Sequence, residues 1–283
     1  MTKDMTSGST LRHIINFAVP LCMGMLFQQL YSMVDTMIVG KVLGVQPLAG
    51  VGATGSLNFM IIWFCIGICN GFSIPIAQAF GANKEVELRR YVANSTWLCI
   101  FFSIVITFFV AIFTRNMLVL LKTPEDIFEY AYIYILIIFL GIPCTFLYNF
   151  LAGVARALGD SKTPFYFLAA SSTSNIAVDI WFVKAFHMGV AGAALSTLIS
   201  RIFCAVVVII QLRKEREGQE IVVRDYFKIR PDWSMIRRIL GLGIPSGIEN
   251  SMFQLGKLAI QSTVSTLGTA AIAAQAMTNI LEN

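Results

Sequence analysis

Long apolar runs alternate with short polar ones along the whole chain. Measured against the roughly 20 residues a helix needs to cross a hydrocarbon core, they predict membrane spans at 14–39, 50–79, 92–113, 127–151, 164–184, 189–212 and 238–265, with an eighth opening at 269. Spans 1, 2 and 7 have length to spare, which permits tilt or projection into water. The breakers agree with these limits. Thr123-Pro124-Glu125-Asp126 reads as an N-cap, a first-turn proline and two carboxylates at the positive end of a helix dipole, so span 4 starts there. Thr163-Pro164 starts span 5 in the same way. Trp233, Ile236, Ile239 and Leu240 alternate with Arg237 and Arg238 at helical spacing, as in a helix entering from the membrane interface. Pro20, Pro75, Pro143 and Pro245 fall inside spans; each removes a backbone hydrogen bond and can bend its helix, as static shape or as a hinge.

The pattern is written twice. Shifted by 225 residues, Arg12, Ile14, Pro20, Gln29, Leu30 and Val39 fall on Arg237, Ile239, Pro245, Gln254, Leu255 and Val264. After a one-residue gap, Leu43-Gly44 falls on Leu267-Gly268 and Ala49 on Ala273. A duplicated membrane unit of this kind builds a central site between two halves. The expected organisation is a six-helix amino-terminal lobe over 1–212, a linker over 213–237, and the start of a repeat-related lobe over 238–283, truncated after its first one to two helices. Span 7 is expected to stand apart from the first six beyond that linker.

Composition confirms the solvent. Hydrophobic residues make up 57% and charged residues 13%, against about 25% charged in soluble domains. The fold class is therefore all-α integral membrane. Lys and Arg number 15 in the amino-terminal tail and loops 2–3, 4–5 and 6–7 against 4 in the other three loops, which places the amino terminus in the cytoplasm. The net charge of +5 is this bias and needs no nucleic-acid partner. The first ten residues lack a cleavable signal pattern. The six cysteines all sit in apolar spans and read as buried reduced thiols.

Charged residues lie within the spans at Asp35, Asp179, Arg201, Glu249 and Lys257, besides those at the span ends. A charge at the centre of a bilayer costs about 2.5–3.5 kcal/mol or more, so such residues face a cavity or a partner. Asn175 and Asp179 are one helical turn apart and share a face, as do Thr197 and Arg201. Two carboxylates with amide and hydroxyl oxygens suit a proton or a small cation. Arg201 reads equally well as a salt-bridge partner of one aspartate. Glu249 and Lys257, eight residues apart, are candidates for lining the same cavity, as is Gln29. No enzyme constellation is present. Gly50-Val51-Gly52-Ala53-Thr54-Gly55 matches a dinucleotide fingerprint in letters only, because it opens a membrane helix rather than following a strand. Asn94-Ser95-Thr96 falls at a cytoplasmic helix start and is no glycan acceptor.

Five segments in order resemble one family, the multidrug and toxic compound extrusion (MATE) transporters. They are Gln28-Gln29-Leu30-Tyr31-Ser32-Met33-Val34-Asp35-Thr36; Ala49-Gly50-Val51-Gly52-Ala53-Thr54; Gln78-Ala79-Phe80-Gly81-Ala82-Asn83-Lys84; the run Gly153-Val154-Ala155-Arg156-Ala157-Leu158-Gly159-Asp160-Ser161-Lys162-Thr163-Pro164 in loop 4–5; and Gly243-Ile244-Pro245-Ser246-Gly247. The resemblance implies export of cationic or amphipathic drugs against an inward H⁺ or Na⁺ gradient, with no cofactor, in a bacterial plasma membrane. It implies a cation-coupling site at Asp35, Asn175, Asp179 and Thr197, with possible Na⁺ at Asp35 and Asp179, and a hinge at Pro20. It also implies twelve helices, so the rest of the carboxyl-terminal lobe is needed for a full transport cleft. Glu249 lies one turn before the position where some relatives carry an ion-site glutamate. A lipid-linked precursor flippase of the same superfamily, or a non-transporting fragment, remains open beside the drug antiporter.

Overall fold

The computed structural model describes residues 10–186, 188–214 and 231–282, and every element among them is helical. The helices are α1 (Thr10–Leu43), α2 (Val45–Gly81), α3 (Glu85–Leu120), α4 (Glu125–Leu140), α5 (Ile142–Ala157), α6 (Lys162–Ile180), α7 (Gly189–Lys214), α8 (Trp233–Ser265) and α9 (Thr269–Glu282). A wider π-helical turn, Trp181–Ala185, extends α6; its end is marked by the Phe186 amide donating to the Trp181 carbonyl at 3.4 Å. Each predicted span has its helix. Val45–Gly81, Glu85–Leu120 and Gly189–Val207 are each long and apolar enough to cross a bilayer, and α4 with α5 makes a fourth such unit.

That fourth unit departs from a straight span 4. α4 and α5 meet at Gly141 with a 45° bend. Pro143, in the first turn of α5, has no amide to donate. On the other side of the bend a Cβ at Gly141 would stand 2.8 Å from Leu198 Cδ1 of α7, so the glycine lets α7 close on the break. The predicted caps shift slightly. Pro124 is the N-cap of α4, and the Thr123 hydroxyl is buried without a hydrogen-bond partner instead of capping. Glu125 and Asp126 do occupy the first turn. At α6 the carboxylate of Asp160 takes the capping role, accepting from the amides of Lys162 at 3.1 Å and Thr163 at 3.0 Å and from the Thr163 hydroxyl at 2.5 Å. The run expected to fill loop 4–5 is mostly helical, since Gly153–Ala157 belongs to α5 and Lys162–Pro164 to α6.

α2 is the hub of the packing. Its Ile68, Phe72 and Ile76 are fully buried against Tyr91 and Val92 of α3, Phe139 of α4 and Phe146 of α5. α1 lies along α6, with Phe27 and Phe165 rings 6.0 Å apart and Gly24 against Leu168.

The expected separation of span 7 is overturned. α8 lies along α2 at backbone contact. A Cβ on Gly67 would stand 2.7 Å from the Cα of Gly247, and one on Gly71 would stand 2.5 Å from the Cα of Gly243. Small residues four apart on both helices let the backbones meet, which residue-by-residue hydropathy does not reveal. Ile239 of α8 is fully buried in the same core as Phe72. Polar contacts reinforce the docking at the start of α8. The Asp232 amide donates to Asn94 Oδ1 at 2.9 Å, and Arg238 donates to Gln78 Oε1 at 2.9 Å and to the Tyr91 hydroxyl at 3.3 Å. Of the predicted 213–237 linker, residues 215–230 lie outside the described residues, and Trp233 onward is already helix.

Candidate functional site

α6 and α7 pack side by side and bury a stripe of polar side chains between them. On α6, Ser171, Asn175 and Asp179 recur every four residues and so share a face. On α7, Ser196, Thr197 and Ser200 face inward. All six are buried; Asp179 is 0% exposed and Asn175 2%. Ser196 Oγ lies 3.2 Å from Asp179 Oδ1 and 2.8 Å from the Ala193 carbonyl, so one hydroxyl proton serves two acceptors. Thr197 donates to the Ala193 carbonyl at 3.1 Å, and Ser171 to the Ser200 carbonyl at 2.8 Å. Among the described residues neither amide atom of Asn175 meets a hydrogen-bond partner, and neither does the Ser200 hydroxyl.

Buried polar groups are nearly always hydrogen-bonded, and leaving one unmade costs roughly 1–3 kcal/mol. An asparagine with a donor and an acceptor that no described residue meets, one turn from a buried carboxylate, has the chemistry to receive a water or a small cation. The oxygen-rich character of the stripe suits a hard cation, not a soft one. Among the described residues no three His, Cys, Asp or Glu side chains gather to hold a metal ion.

The structure brings together three of the four predicted coupling residues, Asn175, Asp179 and Thr197. Asp35 lies on α1, which packs along α6, but its side chain lies outside the described residues. Sequence reasoning missed Ser196, Ser171 and Ser200. Their spacing from Asn175 and Thr197 was available, but serine is too common in membrane helices to stand out.

The other candidates divide. Among the described residues Arg201 forms no salt bridge with Asp179; its Nη1 donates to the Thr145 hydroxyl of α5, and a pair with Asp35 falls on a side chain outside the described residues. Glu249 is exposed on α8 and makes no ion pair with Lys257 among the described residues. Eight residues of helix separate them by about 12 Å, too far for contact. Lys257 and Gln29 are half-buried, and neither is without a partner. Pro20 lies inside α1 as expected.

The family model described as MatE matches residues 20–181. The chain is 34% identical over 99% of its length to "Probable multidrug resistance protein YoeA" of Bacillus subtilis, and 30% identical over 94% to "Probable multidrug resistance protein YpnP" of the same organism. It spans 61% and 58% of those two relatives. Its fold matches a solved structure described as the inward-facing conformation of a multidrug resistance MATE family transporter, with a TM-score of 0.81 at 23% identity, covering 92% of this chain and 60% of that one.

Proposed function

The chain belongs to the MatE family, and from that premise we propose that it serves as a secondary active exporter of cationic or amphipathic small molecules, driven by inward H⁺ or Na⁺. In this reading residues 1–212 form the amino-terminal lobe, 213–237 a cytoplasmic linker and 238–283 the opening of the second lobe. The amino terminus faces the cytoplasm of a bacterial cell, following the 15 to 4 division of basic residues between the loops. It is a transporter and not an enzyme.

The observation that carries the reading is the buried Asp179 beside Asn175, whose amide has no hydrogen-bond partner among the described residues. A carboxylate that exchanges a proton or a small cation changes the charge of the α6–α7 stripe. Helix packing around that stripe must then respond. The coupling ion is cargo, and Asn175, Asp179 and Thr197 supply oxygen atoms to receive it, with Asp35 as the fourth proposed member. For antiport, ion and drug must favour different conformations, since equal affinity for both shifts no population. Pro20 is the proposed hinge through which α1 follows the change on α6.

The test is drug accumulation in a susceptible host expressing the protein. Lower accumulation than in the empty host, abolished by Asp179→Asn at equal membrane level, supports the reading. Accumulation equal to that of the empty host, or full activity in Asp179→Asn, contradicts it.

A further inference from the structure

We propose that α5 carries an anion-binding track, distinct from the α6–α7 stripe, that receives carboxylate or phosphate groups of a small molecule. It stands independently of the exporter reading. Thr145, Tyr148, Asn149 and Arg156 share one face of α5 at spacings of three, four and eleven residues. A guanidinium is anchored at each end of that face. Arg201 reaches across from α7 and donates to the Thr145 hydroxyl. Arg156 donates through Nη2 to Asn70 Oδ1 of α2 at 3.2 Å. The two anchor points are about 16 Å apart along the helix, and both charges act on Tyr148, which lies between them. The charge of Arg201 also reaches Cys65 of α2 and Cys144 of α5, which places it where α2, α5 and α7 converge.

Both guanidinium groups are half-buried, and Asn70 Oδ1 and Thr145 Oγ1, which they meet, are neutral oxygens. Among the described residues neither has a carboxylate within ion-pair distance. A guanidinium offers five N–H donors in a planar fork, and each meets one side-chain oxygen among the described residues. A cation inside an apolar bundle, as Arg201 is, is costly without a counter-charge. Arg201 there and Arg156 about 16 Å along the same hydroxyl-bearing face leave positive charge to be balanced by bound anions. Carboxylate and phosphate match the fork in two-point contact, which chloride does not.

The test uses the purified chain in an uncharged maltoside detergent, titrated calorimetrically with inorganic phosphate against chloride at equal ionic strength. The wild type binds phosphate saturably at the Arg201 end, and R201Q weakens it about ten-fold or more, the loss expected for a charged hydrogen bond. R115Q, the same charge change at an exposed position on α3, leaves it unchanged. T145V, which removes the anchor of Arg201, weakens it several-fold and serves if R201Q does not fold. Repeating the titration with phosphatidylglycerol added to the micelles separates the sources. Displacement of phosphate assigns the track to a lipid headgroup, and no displacement assigns it to a soluble anion. No saturable phosphate binding below about 10 mM, or equal affinity in wild type, R201Q and T145V, overturns the proposal.

Discussion

Gly71 of α2 and Gly243 of α8 meet with no room for a methyl group between them: a Cβ at position 71 would stand 2.5 Å from the Cα of Gly243 and 2.7 Å from the Leu242 carbonyl oxygen. Both obstacles are backbone, so a rotamer change cannot relieve the clash. Gly71→Ala should push α8 away from α2 and destabilise the protein by about 1–3 kcal/mol, as overpacking does. Gly256→Ala, on α8 with nothing within 4 Å of the added atom, should be neutral or slightly stabilising. Thermal unfolding of the two variants in detergent checks the contrast; equal midpoints would mean the seam is not closed in solution.

Arg238 ties the start of α8 to both α2 and α3, through Gln78 and Tyr91, and its guanidinium carbon lies 5.9 Å from the centre of the Tyr91 ring. Arg238→Ala should cost about 1–2 kcal/mol of local stability. Asn94→Ala should act in the same direction, because it strips the Asp232 amide of its acceptor. Amide hydrogen exchange read at residues 233–240 should rise in both variants while exchange in α5 stays as in the wild type.

Asp160 gives a pH signature outside the membrane. Burial pushes its carboxyl up, but the hydroxyl and amide of Thr163 outweigh this and leave it below its ordinary value of 3.8. A depressed carboxylate adds stability that is complete above its unfolded value of about 3.9 and fades as pH falls through the folded value. Asp160→Ala should therefore cost about 1 kcal/mol at pH 7, as for the loss of an N-cap. The gap between variant and wild type should narrow below about pH 4. Melting curves across that range, with a constant gap, would rule out the cap.

Ser196 Oγ lies 3.2 Å from Asp179 Oδ1 and shares its proton with the Ala193 carbonyl. Ser196→Ala removes a hydrogen bond to a buried carboxylate and should cost about 1–3 kcal/mol of stability. Thermal unfolding in detergent reads this directly; an unchanged midpoint would mean that the contact does not hold α7 to α6.

What the sequence made legible was what depends on composition along one helix. Apolar run length located the spans, and the i, i+4 spacing paired Asn175 with Asp179. The parts that stayed hidden depend on two helices at once. Nothing in the α8 segment alone says that Gly243 and Gly247 face Gly71 and Gly67, because glycine also marks bends and turns. The bend at Gly141 needed Leu198 to give it meaning. Arg201 looked like a partner for an aspartate because charge attracts charge in a one-dimensional reading. The fold turns it to Thr145 on a different helix.

The central claim is that ion and drug compete through one conformational equilibrium. A charge moving down about 150 mV yields roughly 3.5 kcal/mol, enough to sustain at most a few hundred-fold gradient of a neutral substrate per ion. Linkage requires that the ion weaken the drug by the same factor as the drug weakens the ion. The direct measurement is the affinity of the purified protein for a fluorescent cationic drug, titrated with pH at fixed Na⁺ and with Na⁺ at fixed pH. The account predicts that affinity falls as one of the two ions rises, and that Asp179→Asn flattens the response. Affinity that is flat under both titrations in the wild type would contradict it.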